Sequence, residues 1–366
     1  MRRLTLLAIL ALAALPGAAS AAGCSPLSCA PVATALAGTH LLAVQSQGAA
    51  SAVRVVDLAD GQTRWQLPRG ILAGTTLIHK QAAGLEWLDV TSGEQAATQT
   101  VGAYASWFLA GASVDGKRAV LSHVKQRPRT TAFALVGNGV RTVTLKGDWG
   151  FDALSGERLY LLRYLRGGYE VRVYDLATNR LVPKAVKNGD EGTLIKGLPW
   201  SRLGSWDGRY VFTLYIEGSG QAMIHELDLR AGIARCIDLP GAADFTSAAA
   251  YGLVLSGDGK TLWAANASYG RVAEVDVARG KVRSGFRFAG HRSESPTAPA
   301  LALDAQGDLL ALAAQGRTFF LDLQARRMRP GKAQATVAIA IGFAPDGRKL
   351  WSFDAKKAPT ALDVPG

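Results

Sequence analysis

The chain has 366 residues, is 48% hydrophobic, and carries Lys+Arg 41 against Asp+Glu 29, a formal net charge of +12. A basic balance favours solubility and anionic envelope polymers. The basic residues are spread along the chain rather than clustered, which argues against nucleic acid, and no apolar run after the N-terminus approaches membrane-span length.

Residues 1–23 read as a secretory signal peptide. Arg2 and Arg3 form a basic start, Leu4 to Leu15 a short apolar core, and Ala19-Ser20-Ala21 a small-x-small cleavage site. Removing the two arginines leaves about +10 on the mature chain. The expected location is secreted or extracytoplasmic. A second cleavage route stays open: Ala21-Ala22-Gly23-Cys24 resembles a bacterial lipobox, and lipidation at Cys24 would be the chain's one contact with a membrane.

Residues 24–35 form an N-terminal arm. Cys24, Cys29 and Cys236 are the only cysteines. Outside the cytosol pairing is expected, and an odd count leaves one over. Cys24–Cys29 would close a local loop; Cys29–Cys236 would staple the arm to the body. Three cysteines without a neighbouring histidine make a poor metal site, so no metal is expected there.

From residue 36 to 366 a unit of roughly 35–50 residues recurs. Each copy ends in a hydrophobic–Asp–hydrophobic run: Val56-Asp57-Leu58, Leu88-Asp89-Val90, Tyr174-Asp175-Leu176, Leu227-Asp228-Leu229, Val275-Asp276-Val277, Leu321-Asp322-Leu323 and Leu362-Asp363-Val364. A degenerate copy lies at Phe133-Ala134-Leu135-Val136.

One copy shows the grammar. Leu253 to Leu255 is a short strand, Ser256 to Lys260 a turn, and Thr261 to Asn266 a second strand. Arg271 to Val277 alternates in period two, Ala278-Arg279-Gly280 turns tightly, and Lys281 to Phe288 is a more polar strand suited to an outer edge. Four short antiparallel strands joined by tight turns make one propeller blade.

The expected fold is therefore all-β, a single β-propeller of about eight four-stranded blades, with seven as the alternative. The last copy stops after its third strand, and the segment Ser25 to Val32 is a candidate closing strand. The recurring Asp sits at the end of the third strand, where it can accept backbone N–H bonds from the following turn. A ring of catalytic or calcium-binding carboxylates is the other reading, but this turn lies on the blade periphery.

The run Ser256-Gly-Asp-Gly-Lys-Thr-Leu-Trp-Ala-Ala-Asn266 with Val272 to Val277, and Phe343 to Trp351, resembles secreted YVTN-type β-propellers and related quinoprotein-dehydrogenase-like and lactonase-like propellers. The resemblance implies the fold over nearly the whole mature chain. It implies an extracytoplasmic binding or assembly module, some relatives being enzymes.

Chemistry-bearing motifs are sparse. The histidines His40, His79, His123, His225 and His291 lie in separate segments, with no His-x-x-x-His pair. There is no Gly-x-Ser-x-Gly elbow and no phosphate loop. No cofactor is expected, with calcium in the central channel as an open alternative.

The candidates for contact are the unusual loops: Lys125, Arg127 and Arg129; Tyr164 and Arg166; Trp200 at the end of the longest interblade connection; and His291 with Arg292. The expected function is non-enzymatic binding of a protein, a peptide or an anionic envelope polymer. The alternative is a lactonase-like or other hydrolase with its site in the central channel.

Overall fold

The structure is a computed structural model. It describes residues 32–36, 39–45, 52–186, 194–241, 244–291, 298–314, 316–329, 334–336, 338–354 and 357–366. Residues 1–23, read above as a signal peptide, and Cys24, Cys29 and Arg292 lie outside the described residues.

Eight antiparallel sheets follow one another along the chain, each a meander from an inner strand A outward. Blades 1 to 8 span 32–67, 71–100, 108–146, 149–181, 198–238, 251–287, 300–336 and 340–363. Strand A of blade 8 lies against strand A of blade 1, so the sheets form a closed ring. Radial repetition of this kind leaves each small sheet only short edges. The count is eight because the degenerate copy at 133–136 belongs to a full blade, whose strands Ala119–Gln126 and Arg129–Gly137 are among the longest in the chain.

The expected closing strand, 25–32, lies outside the described residues up to 31. Val32 opens strand A of blade 1, Val32–Ala35, paired to Leu41–Gln45, so the propeller begins inside the segment read as an arm. Among the described residues blade 8 has three strands.

Each blade buries both faces against its neighbours. The apolar side chains therefore gather into eight separate clusters, one per seam between consecutive blades. The seam of blades 5 and 6 is the thickest, with eighteen buried apolar residues. Among the described residues the closing seam of blades 8 and 1 is the thinnest, with five: Leu42, Val44, Val56, Ala340 and Phe353.

The recurring Asp has the structural job its position implied. Asp57 accepts from the amide of Ala59 at 2.9 Å, Asp175 from Thr178 at 2.9 Å, Asp228 from Ala231 at 2.8 Å and Asp322 from Ala325 at 2.7 Å. These backbone donors hold the carboxyls of Asp57, Asp175 and Asp322 below the usual carboxylate range.

A second device joins the blades. The carbonyl of the residue after that Asp accepts a bond from the preceding blade. Trp65 Nε1 donates to Val90 O at 2.9 Å, Tyr160 OH to Leu229 O at 2.9 Å and Trp351 Nε1 to Leu58 O at 2.8 Å, while Arg141 reaches Leu176 O. In the first and third cases the indole also covers the glycine of the same turn. Gly61 has φ +72°, and a Cβ there would stand 2.4 Å from the Trp351 ring. Two demands, left-handed backbone and no side chain, thus fall on one residue.

On the same face, between strands A and B of three blades, a Ser-x-Asp-Gly turn repeats. Ser113, Ser205 and Ser256 each donate Oγ–H to Asp115, Asp207 and Asp258 at 2.6 Å. The same oxygens accept backbone N–H bonds from Arg118, Tyr210 and Thr261, five residues on.

Candidate functional site

Strand order assigns every loop to one of two faces. Turns between strands A and B and between C and D share one face, crowded by the Asp-anchored turns just described. Hairpins between strands B and C, and the connections from one blade to the next, share the other. We call the second the connection face.

Over blades 3 to 5 the connection face presents large apolar side chains to solvent. Phe108, the first residue of strand A in blade 3 (Phe108–Ala112), is 52% exposed. Tyr164 and Leu165, ending strand B of blade 4 (Arg158–Leu165), are 45% and 37% exposed, and Leu198, opening strand A of blade 5 (Leu198–Gly204), 40%. Inner strands run from this face inward, so Phe108 and Leu198 sit near the axis.

The same face carries cations. Lys125 and Arg127 are exposed at the tip of the blade 3 hairpin, Arg166 at the tip of the blade 4 hairpin, and Lys196 on the connection into blade 5. Arg129 is partly neutralised: its Nε donates to Asp148 Oδ1 at 2.5 Å. Arg163 lies 5.9 Å over the Trp149 ring and pairs with Glu170 at 3.3 Å. His123 stacks on Trp107 at 5.4 Å, extending the aromatic floor toward blade 2.

Five of the eight loop candidates, Lys125, Arg127, Arg129, Tyr164 and Arg166, belong to the B–C hairpins of blades 3 and 4 on this face. The loop around Lys125 proves to be a tight hairpin, because strands B and C of blade 3 stay paired out to Gln126 and Arg129. Trp200 is elsewhere. It is 3% exposed, packs in the seam of blades 5 and 6, and donates Nε1–H to Ala249 O at 2.9 Å. It sits at a bulge, where the pairing of strand A with strand B skips from Pro199 to Ser201, which turns its ring into the core. His291 is exposed on the connection between blades 6 and 7, outside blades 3 to 5.

Phe108, Trp107 and Leu198 were not legible as site residues. Each falls beside or inside a strand that reads as ordinary core. The adjacent pair Trp107-Phe108 immediately before an apolar strand is the one local signal that could have marked them.

The central channel is lined by strand A of every blade. The described inner strands carry two charged side chains, Asp152 and Arg202, and these pair at 2.9 Å. Asp152 is 2% exposed, and its second oxygen has no hydrogen-bond partner. Among the described residues no three of His, Cys, Asp and Glu are grouped as a metal site, and no helix is long and apolar enough to cross a membrane.

Cys236 is free and exposed on the outer strand of blade 5, Ile233–Asp238. Directly opposite it stands His225, 2% exposed, with neither ring nitrogen hydrogen-bonded. Burial pushes the imidazole's proton affinity down and that of the Cys236 thiol up, so both are neutral near pH 7.

No protein-family model matches the chain, and no curated protein is similar to it in sequence. Solved structures do match in fold. AztD of Citrobacter koseri is 12% identical with a TM-score of 0.53, over 84% of this chain and 87% of that one. The Dos1 propeller is 10% identical with a TM-score of 0.53, over 91% of each chain. The dihydro-heme d1 dehydrogenase NirN, in complex with DHE, is 13% identical with a TM-score of 0.52, over 92% of this chain and 76% of that one. At such identities the likeness is one of fold, and a fold shared with a dehydrogenase selects no function.

Proposed function

We propose that the chain is an extracytoplasmic, non-enzymatic β-propeller of the YVTN or quinoprotein-like kind, and that it binds an acidic polypeptide carrying apolar side chains on its connection face. The observation behind this reading is that Phe108, Tyr164, Leu165 and Leu198 are exposed on one face of blades 3 to 5, which also carries exposed Lys125, Arg127, Arg166 and Lys196. A face carrying both apolar and cationic side chains suits a partner that buries aromatic or aliphatic side chains and adds anionic ones. The extracytoplasmic location rests on the N-terminal signal.

The competing reading, a hydrolase in the channel, has less to draw on. Asp152 is the one carboxylate of the inner strands, and Arg202 already neutralises it. General acid–base work calls for a group free to exchange its proton with the reacting atoms.

The test compares an acidic–aromatic copolymer, poly(Glu,Tyr), with poly(Glu) and with an acidic polysaccharide, polygalacturonate. The copolymer should bind most tightly and weaken steeply with salt, as exposed charge pairs do. Lys125→Glu with Arg127→Glu should weaken it at least tenfold, and Phe108→Ser should remove the advantage of the copolymer over poly(Glu). Equal binding of all three polymers would turn the reading to a purely electrostatic envelope-polymer module. No binding to any of them would overturn it.

A further inference from the structure

The chain is poor in soft metal donors, yet three of them share one small surface. Of 366 residues only 3 are Cys, 3 Met and 5 His. One of each lies on the hairpin of strands C and D in blade 5, Ala222–Asp228 and Ile233–Asp238. The register is regular: Met223 faces Asp238, and His225 faces Cys236. Side chains two apart on a strand point to the same side, and so do directly opposed residues, with Cβ atoms about 4.5–5.5 Å apart. Met223, His225, Cys236 and Asp238 therefore occupy one side of the sheet, the side turned toward blade 4, where Met223 packs on the seam cluster.

The buried imidazole supplies the second observation. Both nitrogens of His225 are without a partner although the residue is 2% exposed, and a buried polar group in that state is costly unless something binds it. The neighbouring Thr213 Oγ1, opposite His225 on strand B, is orphaned too, so it cannot be the missing partner. Asp238 is close enough for its charge to act on the Cys236 thiol.

We propose that this surface binds a soft monovalent d10 ion of the copper(I) or silver(I) class, held by His225 nitrogen and Cys236 sulfur with Met223 as a third donor. Thiolate and thioether select such ions, and imidazole suits copper. Low coordination explains why the site does not resemble a tetrahedral zinc centre: two or three donors suffice, and the carboxylates stay outside the set. On binding, the Cys236 S–H bond breaks, its proton leaves to solvent, and a sulfur–metal bond forms; no electron is transferred. The ion would convert an orphaned imidazole into a ligand and join the outer two strands of blade 5.

The experiment titrates the reduced mature chain with Ag(I), and with Cu(I) under a competing bicinchoninate chelator, in a Cys24→Ser/Cys29→Ser background so that Cys236 is the one thiol. One ion per chain is expected, with a thiolate-to-metal charge-transfer band and a shift of the His225 ring signals in NMR. Cys236→Ser, at an exposed position that leaves the fold intact by circular dichroism, should cost at least a hundredfold in affinity. Met223→Leu should cost about tenfold. No stoichiometric uptake, uptake unchanged by Cys236→Ser, or His225 signals unmoved by the ion would each overturn the assignment.

Discussion

Arg202 of blade 5 donates to Asp152 of blade 4 at 2.9 Å, and the pair joins the only charged side chains on the described inner strands. Asp152 is 2% exposed, so removing its partner leaves a buried charge. Breaking a buried pair costs about 3–5 kcal/mol, and because Arg202 is itself one-third exposed we expect about 2–3 kcal/mol for Arg202→Met. Replacing both residues, Asp152→Leu with Arg202→Met, should cost less than Arg202→Met alone. Urea-unfolding midpoints measure both. A double variant as unstable as the sum of the singles would mean the two residues act independently.

Ring closure should be the first element to fail. Among the described residues the seam of blades 8 and 1 holds the fewest buried apolar residues and depends on Trp351 over Gly61. Gly61→Ala meets both a left-handed backbone and a ring 2.4 Å away, and should cost about 2–4 kcal/mol. Gly347→Ala, at φ +68° with open space around it, should cost about 1 kcal/mol. Thermal midpoints rank the two; equal losses would show that the indole contact contributes nothing.

Stability should also decline as pH rises toward neutrality because of Glu226. It is 1% exposed and pairs with Arg235 at 2.6 Å, yet burial outweighs that partner and raises its pKa from 4.5 to about 7. The folded state therefore holds this proton more tightly than the unfolded one. The associated stability is fully present below pH 4.5 and is lost as pH rises through about 7, to a total on the order of 3 kcal/mol. Asp57 and Asp276, whose carboxyls are lowered, act in the opposite sense and lose their contribution at acid pH. Glu226→Gln should flatten the decline between pH 5 and 7.5 in a Tm–pH series. A slope identical to the native chain would assign the decline to other groups.

The sequence leaves two disulfides open, and Cys24 and Cys29 lie outside the described residues. Cys236, on the outer strand of blade 5, is a free thiol. Non-reducing peptide mapping should find Cys236 unlinked. A Cys29–Cys236 peptide would show instead that the N-terminal segment is stapled to blade 5.

The repeat and its turn chemistry were legible in the sequence because they are local. An Asp two or three residues before the amides it accepts from, and a Gly where φ must be positive, act within a single turn, so Asp57, Asp175 and Asp322 could be assigned without knowing what surrounds them. The basic segment at Lys125 and Arg127 was legible too, but as a loop; strand pairing out to Gln126 and Arg129 makes it a tight hairpin. Trp200 was misplaced as a ligand contact because one bulge residue, invisible to a period-two pattern, reverses the side to which a side chain points. The arm boundary shifted for a related reason: only pairing with Leu41–Gln45 makes Val32–Ala35 a strand of blade 1.

What the sequence by itself determined is the blade, its strand order and its turns, with a count of about eight. What only the tertiary structure decided is everything that depends on neighbours across strands and seams. Asp152 and Arg202 are fifty positions apart and meet at the axis because two blades close against each other. His225 and Cys236, eleven apart, become opposed through strand register. Phe108, Tyr164 and Leu198 share a face because three blades present the same end to solvent. Hydrophobic period and turn residues specify which side of a strand is buried, but register and ring closure determine which buried sides meet.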